Sequence, residues 1–440
     1  MNMRKLTILF FLWTIAVSAG QPMTLDDCMR YALDRHFDVR TAAVDYSDSR
    51  LDYRRSKAAF LPTAGGSISA QYSFGRSIDP GTNTYDNVKT FNNSYGLNLT
   101  WTLFSGGQLV NDFREARSRK LLSESAMQSR RDEVAVAVMD AFVNYVYYRE
   151  LSGIMSEKLA ESGDALEKMR RMKALGMKSA VDLSQAESQY AEDDYNLTNA
   201  TSMLRQSYLT LKNAMNYPVG DSLEVVAPDS VLSDVPMSGV AETVEFASVH
   251  NPLMRQAALN VDIARHAHRG AKGLLFPTIT LNAGISDHYY RRFGSRDNKP
   301  FKEQMDVNFG QYVGVSMSIP IFGGLSRTTT VQKARNRRVA AEIDYERKRY
   351  ELQTGVEQAV LDRDNFAKEA EKLRRKSESD SVAYQLAKRK YEEGLMSILD
   401  MRQMANAWFA SQAELLRCDL LFDVKRRLVE YYRTNNLFQK

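Results

Sequence analysis

The chain has 440 residues, 26% of them charged, with a formal net charge of +5, 10% aromatic residues and only two cysteines. Basic and acidic side chains are interleaved, as in Glu369 to Asp380, which is the pattern of solvated helix faces and speaks against a nucleic-acid binder. Cys28 and Cys418 are too few for a disulfide framework, and the sequence leaves open whether they pair.

The N-terminus reads as a secretory signal peptide over residues 1–20. Arg4 and Lys5 precede an apolar run from Leu6 to Val17, and the small residues Ser18, Ala19 and Gly20 follow, with cleavage expected after Ala19 or Gly20. No cysteine directly follows, so lipidation there is not expected. Beyond this segment no stretch approaches 18 uninterrupted apolar residues, and no transmembrane helix is expected.

The mature chain is written twice. Phe60-Leu61-Pro62-Thr63 recurs as Leu275-Phe276-Pro277-Thr278, an offset of 277 − 62 = 215, which also brings Ala32 onto Ala247. Farther on the offset settles at 218: Glu115-Ala116-Arg117 meets Lys333-Ala334-Arg335, Gly176 meets Gly394, and Asp182 meets Asp400. The first repeat (21–216) reads as a helix at about 24–60, strands at about 63–75 and 94–104, a long helix at about 108–175 and a return helix at about 179–216. A linker at 217–239 holds Pro218, Pro228 and Pro236. The second repeat (240–440) follows the same plan: a helix at about 240–275, strands at about 278–288 and 311–321, a long helix at about 326–393 and a return helix at about 397–434. Polar loops are expected at about 75–93 and 288–310.

The strand segments alternate with a period of two. Tyr95, Leu97, Leu99, Trp101 and Leu103 are apolar, with Gly96, Asn98, Thr100 and Thr102 between them; Val313, Val315, Met317, Ile319 and Ile321 repeat the pattern. About ten such residues suit a tilted membrane strand in an exported protein, with Leu97, Leu99, Trp101, Val315, Met317 and Ile319 facing lipid. Four strands cannot close a barrel, and open edges cannot face lipid, so several chains must share one sheet; two would give eight strands and three twelve. The long helices, at 1.5 Å per residue, are rods of roughly 100 Å, matched by the two shorter helices stacked end to end.

In this order and duplication, the Leu-Pro plus alternating strand, the Gly-Gly bends at Phe104–Gly107 and Phe322–Gly324, and the repeated Gly-x-x-Ser-x-x-Asp turn resemble the TolC-type outer-membrane efflux proteins. The likeness implies a homotrimer with a shared twelve-stranded barrel in the outer membrane and a helical α-barrel tunnel in the periplasm. It also implies docking to a periplasmic adaptor and an inner-membrane pump, and passive discharge of cargo in tripartite efflux or type I secretion. It makes the turns carrying Gly176, Ser179, Gly394 and Ser397 the adaptor contacts. Asp400 matches an aspartate of the gate's constriction ring, and Asp182 and Tyr391 match partners in an interhelix link. Gln403 stands where a second ring aspartate would be, and Met396 where a gating arginine would be.

No catalytic, cofactor or metal site is expected. The Gly-Gly bends lack the Lys-Ser/Thr of a phosphate loop, and His266 and His268 lie two apart on a helix and so on different faces. The rival readings are a periplasmic coiled-coil adaptor or structural protein, which would carry a lipoyl-like β-domain, and a secreted enzyme, for which no nucleophile setting is present.

Overall fold

A computed structural model describes residues 22–79, 83–227 and 239–438. The signal segment, Pro228 and Pro236 lie outside the described residues. In chain order the elements are α1 (Leu25–Arg35), α2 (Phe37–Ala58), β1 (Thr63–Asp79), β2 (Thr84–Ser105), α3 (Gln108–Ala174), α4 (Ala180–Met215), α5 (Val240–His250), α6 (Pro252–Gly273), β3 (Thr278–Arg292), α7 (Phe301–Asn308), β4 (Gly310–Ser318), α8 (Ser326–Glu392) and α9 (Ile398–Thr434). The duplication is kept in the fold. The starts of α5, α6 and β3 follow those of α1, α2 and β1 by 215 residues (240 − 25, 252 − 37, 278 − 63), and α8 and α9 follow α3 and α4 by 218 (326 − 108, 398 − 180).

The helix expected at 24–60 is two helices, and so is the one expected at 240–275. Both break at the same point of the repeat, where His36 and Asn251 leave the helical region (φ −63°, ψ 133° and φ −65°, ψ 131°) while still donating to the carbonyls of Ala32 and Ala247. Asn251 is forced there by Pro252, whose ring disfavours a helical residue before it. His36 has no proline behind it; its imidazole Nδ1 instead accepts from the N–H of Asp38 at 3.2 Å and starts α2.

The described residues divide into two compact units, one drawn from 22–43, 127–227, 239–251 and 350–438, the other from 44–79, 83–126 and 252–349. The first unit is helical. Its core joins Cys28, Met29 and Ala32 of α1 to Val138, Met139, Phe142 and Val146 of α3 and to Leu211 and Met215 of α4. Tyr145, expected to pack between helices, lies against this core with its ring 5.6 Å from that of Tyr208. Both cysteines are free and buried. The described start of the linker runs beside the N-terminal segment: Met23 N–H donates to Glu224 O and Val226 N–H to Met23 O, at 2.9 and 3.0 Å.

The second unit holds the sheet, an antiparallel meander in the order β1-β2-β3-β4. Strands β1 and β2 run on through the expected polar loop at 75–93. Cross-strand aromatics sustain the pairing there, with Tyr72 directly opposite Phe91 at 4.8 Å between ring centroids. Most of the second expected loop is also ordered, as the end of β3 and α7. Strand β4, by contrast, ends at Ser318, short of the expected 321. Ile319, expected as a lipid-facing strand residue, lies beyond it, because Pro320 cannot donate to a ladder and ends the pairing. Leu103 is also displaced: Thr102 pairs with Thr280 and Phe104 with Ile279, so Leu103 is a bulge and Phe104 takes the next apolar position.

The Gly-Gly bends form as expected, but shifted in the second repeat. Gly106 and Gly107 adopt φ of 62° and 80°, whereas their counterparts are Gly324 (58°) and Leu325 (62°), a side chain held in the left-handed region. At Gly106 a Cβ would lie 2.3 Å from the carbonyl oxygen of Gly273, so the end of α6 closes directly on the bend; at Gly107 nothing lies nearer than 3.9 Å. Gly107→Ala is therefore expected to cost about 1–2 kcal/mol, and Gly106→Ala, which adds a backbone clash, roughly 3 kcal/mol or more. Thermal unfolding of the two purified variants against the parent checks the order; equal losses would mean the close approach to Gly273 is not a constraint.

Candidate functional site: hairpin tips and a two-faced sheet

The tips that join the long and return helices are built from glycine and a cap. After α3, Gly176 (φ 71°) donates to Lys173 O and Met177 N–H reaches back to Met172 O; after α8, Gly394 (φ 77°) donates to Tyr391 O and Leu395 N–H to Lys390 O. Both tips thus end one helix with the left-handed turn that only glycine adopts without strain. Serine starts the next. Ser179 accepts from Asp182 N–H at 3.1 Å, and the Asp182 carboxylate accepts from Ser179 N–H (3.0 Å) and Ser179 Oγ (2.9 Å), a complete capping box. Ser397 and Asp400 make the same side-chain exchange, at 3.1 and 2.7 Å. The tips present apolar side chains to their surroundings: Leu175, Met177, Val181, Leu395 and Leu399 are all exposed.

The expected gate residues separate into two groups. Asp400 and Gln403 lie one turn apart on an exposed face of α9, together with Asn406. Tyr391 instead packs with Leu183, Ile398 and Met401 around buried Leu166, Met169 and Ala186, with Lys168 Nζ 4.8 Å from its ring. Its hydroxyl is buried without a hydrogen-bond partner, and burial raises its pKa. The link to Asp182 that the resemblance implies is not formed within the chain, because the Asp182 carboxylate is turned to its own cap. Met396, on the approach to Ser397, is half-buried.

A second polar cluster joins α3, α4 and α9, and nothing in the sequence singled it out. Asp193 of α4 is 2% exposed and receives Lys158 Nζ of α3 at 3.1 Å and Gln189 Nε2 at 3.1 Å. Arg402 of α9 shares a cavity of about 30 Å3 with these residues, room for one water, and its Nη2 is buried without a partner. Burial pulls the Arg402 guanidinium below its ordinary pKa, while the charge of Asp193 opposes that shift. One turn along α3 from Lys158, Glu161 reaches the other way to Lys388 of α8 at 3.2 Å. Charged residues in these helices look like solvated surface in sequence; only the neighbouring helices bury them.

The sheet has one apolar and one wet face. Leu97, Leu99 and Trp101 pair with Ile285, Ala283 and Leu281, which pair in turn with Gln311, Val313 and Val315, while Met317 pairs with Ile279. The expected lipid-facing residues therefore share one face, Ile319 excepted. Leu97, Val315 and Met317 are more than half exposed, and Trp101 donates its indole N–H to Phe60 O at 2.8 Å. The opposite face carries a hydroxyl and amide ladder. Thr100 donates to Asn282 (3.3 Å), Asn282 to Ser316 (3.2 Å) and Tyr312 to Asn98 (3.1 Å), and Thr280 and Ser316 are 2.7 Å apart. Among the described residues no group of three or more His, Cys, Asp or Glu is placed to hold a metal ion.

The family model described as outer membrane efflux protein matches residues 29–217 and 244–423, most of both repeats. The cation efflux system protein CusC of Escherichia coli O6:H1 is 24% identical over 397 residues, 88% of this chain and 80% of that protein. The outer membrane protein TolC of Vibrio cholerae is 22% identical over 300 residues, covering 66% of this chain and 63% of that one. Among solved structures, the CmeC outer membrane channel of Campylobacter jejuni superposes with a TM-score of 0.81 at 15% identity, over 94% of this chain and 87% of that one. VceC of Vibrio cholerae gives 0.80 at 16% identity, over 93% and 96%.

Two outcomes follow from the tip region. Asp193→Ala strands the Lys158 charge and is expected to cost about 3–5 kcal/mol, whereas replacing both partners with apolar residues recovers most of that loss; chemical denaturation followed by helical circular dichroism reads both. The Asp182 carboxyl is held below its ordinary pKa, chiefly by the Ser179 N–H and then by the Ser179 hydroxyl. A depressed carboxylate contributes stability that is present above the ordinary carboxylate pKa and lost as pH falls through the depressed one. Ser179→Ala should therefore destabilise the α3–α4 tip at every pH, through the lost cap on the Asp182 N–H, and more at neutral pH than in acid, where the hydroxyl's bond to the carboxylate no longer counts. A loss that is the same at neutral pH and at a pH below both values would sink the charge-dependent part of this assignment.

Proposed function

This chain belongs to the outer membrane efflux protein family, and from that premise we propose that three copies of it form one continuous exit duct, with the sheets closed into a shared barrel and the helices into a tunnel. The observation that carries the reading is the sheet itself. It is a four-stranded meander with two unpaired edges, β1 and β4, and an apolar face opposite a face of hydroxyls and amides. In a bilayer every backbone N–H and C=O on those edges needs a partner, and only further copies of the same chain supply matching strands. Twelve strands close a barrel wide enough to conduct, with the ladder of Asn98, Thr100, Asn282 and Ser316 toward the lumen.

The duct is passive. Its ladder of uncharged hydroxyls and amides has, among the described residues, no feature fitted to one cargo, which agrees with relatives named for efflux of cations and of toluene. Direction and energy come from a periplasmic adaptor and an inner-membrane pump. The exposed apolar tips around Gly176–Ser179 and Gly394–Ser397 are the surface that an adaptor would grip, since loop-borne apolar groups on rigid helices suit recognition. The gate lies at the same end: three copies of Asp400, with Gln403 one turn on, line the narrowest ring, and Asp182 and Tyr391 stand beside it. An adaptor role for the chain itself is disfavoured, as no lipoyl-like β-domain lies among the described residues.

Outer-membrane material in mild detergent is expected to weigh three chains per particle; a monodisperse dimer would remove the reading. In planar bilayers the channel should be cation-selective and blocked by multivalent cations from the periplasmic side, because closely held carboxylates attract cations where little water screens them. Asp400→Asn should weaken that block. If the block is unchanged, Asp400 is only a helix cap.

A further inference from the structure

The two free edges are unequal. Strand β1 has 17 residues and β4 has 9, and β4 pairs only residues 278–286 of β3, which continues to Arg292. Beyond β4 that edge of β3 is not bare. Asn308 Nδ2 donates to His288 O (2.7 Å). Gln304 accepts from Tyr290 N–H and donates to Tyr290 O (both 2.9 Å). Asn298 accepts from Arg292 N–H and donates to Arg292 O (both 2.8 Å). Three side-chain amides thus serve alternate residues of β3, as the backbone of a fifth strand would. They hold α7 against the sheet, with the Phe301 ring 5.3 Å from Tyr289 and 6.4 Å from Tyr95.

A neighbouring copy whose β1 pairs along β4 has partners for nine residues. At about 3.3 Å per residue and a tilt near 40° those nine rise roughly 23 Å, about the height of the apolar band of an outer-membrane barrel. The remaining eight residues of β1 (17 − 9), from Tyr72 onward, stand beyond it, beside the neighbour's α7. There β1 exposes Tyr72 (59%) and Phe74 (73%), and the α7 segment exposes Val307 (67%) and Phe309 (54%).

We propose that α7 and Phe309 form a docking surface for the outer half of β1 of a second copy, with Val307 and Phe309 against Tyr72 and Phe74. The joint between subunits is then strand on strand within the bilayer and strand on helix above it. This rests on the trimeric reading but is separable from it. In a Cys28→Ala, Cys418→Ala background, Phe74→Cys with Val307→Cys is treated with a short bis-maleimide in isolated outer membranes, alongside a barrel control, Ile68→Cys with Val313→Cys. Both pairs are expected to give linked chains on denaturing gels. Linking by the control alone overturns the docking surface and leaves Tyr72 and Phe74 as lipid-interface aromatics; linking by neither overturns the trimer reading as well. As a second measurement that does not depend on register, Val307→Asp with Phe309→Asp should lower the temperature at which the detergent-resistant trimer dissociates, and an unchanged temperature overturns the proposal.

Discussion

Everything in this protein follows from the fact that a sheet in hydrocarbon cannot end. Water satisfies a strand edge on an ordinary surface; lipid does not, and each unpaired peptide group costs several kcal/mol there. The described residues offer two such edges and four strands. Closure by copies of itself answers the constraint, and symmetry then dictates that whatever hangs from the sheet also encircles an axis. On the proposed closure by three copies, the helices encircle the same axis. Past the end of β4, where β3 has no strand partner on that side, asparagine and glutamine side chains complete its ladder.

Much of this was legible in the sequence, because the two signals involved are periodic and doubled. The long helices were placed to within a residue of their observed ends at 174 and 392, since glycine and serine punctuate them identically in both repeats. The sheet's faces were legible because an alternation of two has only two readings, and an exported chain with apolar tips to one side favours one of them. The missed features are those set by one specific contact. The break at His36 depends on a single imidazole, with no proline to announce it. The bulge at Leu103 leaves an apolar residue in an apolar run, so the pattern hides it. Asp193 and Arg402 sit in helices where a charge in most positions is solvated, and only the tertiary neighbours bury these two. Of the candidate gate, the caps at Ser179 and Ser397 could be read from spacing; the burial of Tyr391 among Leu183 and Ile398 could not.

The duplication has been kept where it sets geometry and spent where it does not. Both kinks recur at an offset of 215, and both tips and both strand-to-helix bends at 218, although the second bend tolerates Leu325 where the first has Gly107. The difference lies between the strands. One repeat has strands of 17 and 22 residues, and the other has strands of 15 and 9 with α7 inserted between them.

The equal lengths of α3 and α8, 67 residues each, limit how such a chain can change over evolutionary time. Removing one residue from a helix shortens it by about 1.5 Å and turns everything beyond the cut by about 100°, taking every buried stripe off its neighbour. Removing seven leaves the faces within about 20° of where they were. A lineage that keeps its packing therefore lengthens or shortens in steps of about seven or eleven residues, both of which leave the faces within about 20°, taken in both repeats and in the return helices together. Helix length in such a family should then vary by discrete rungs of about 10 or 16 Å rather than continuously.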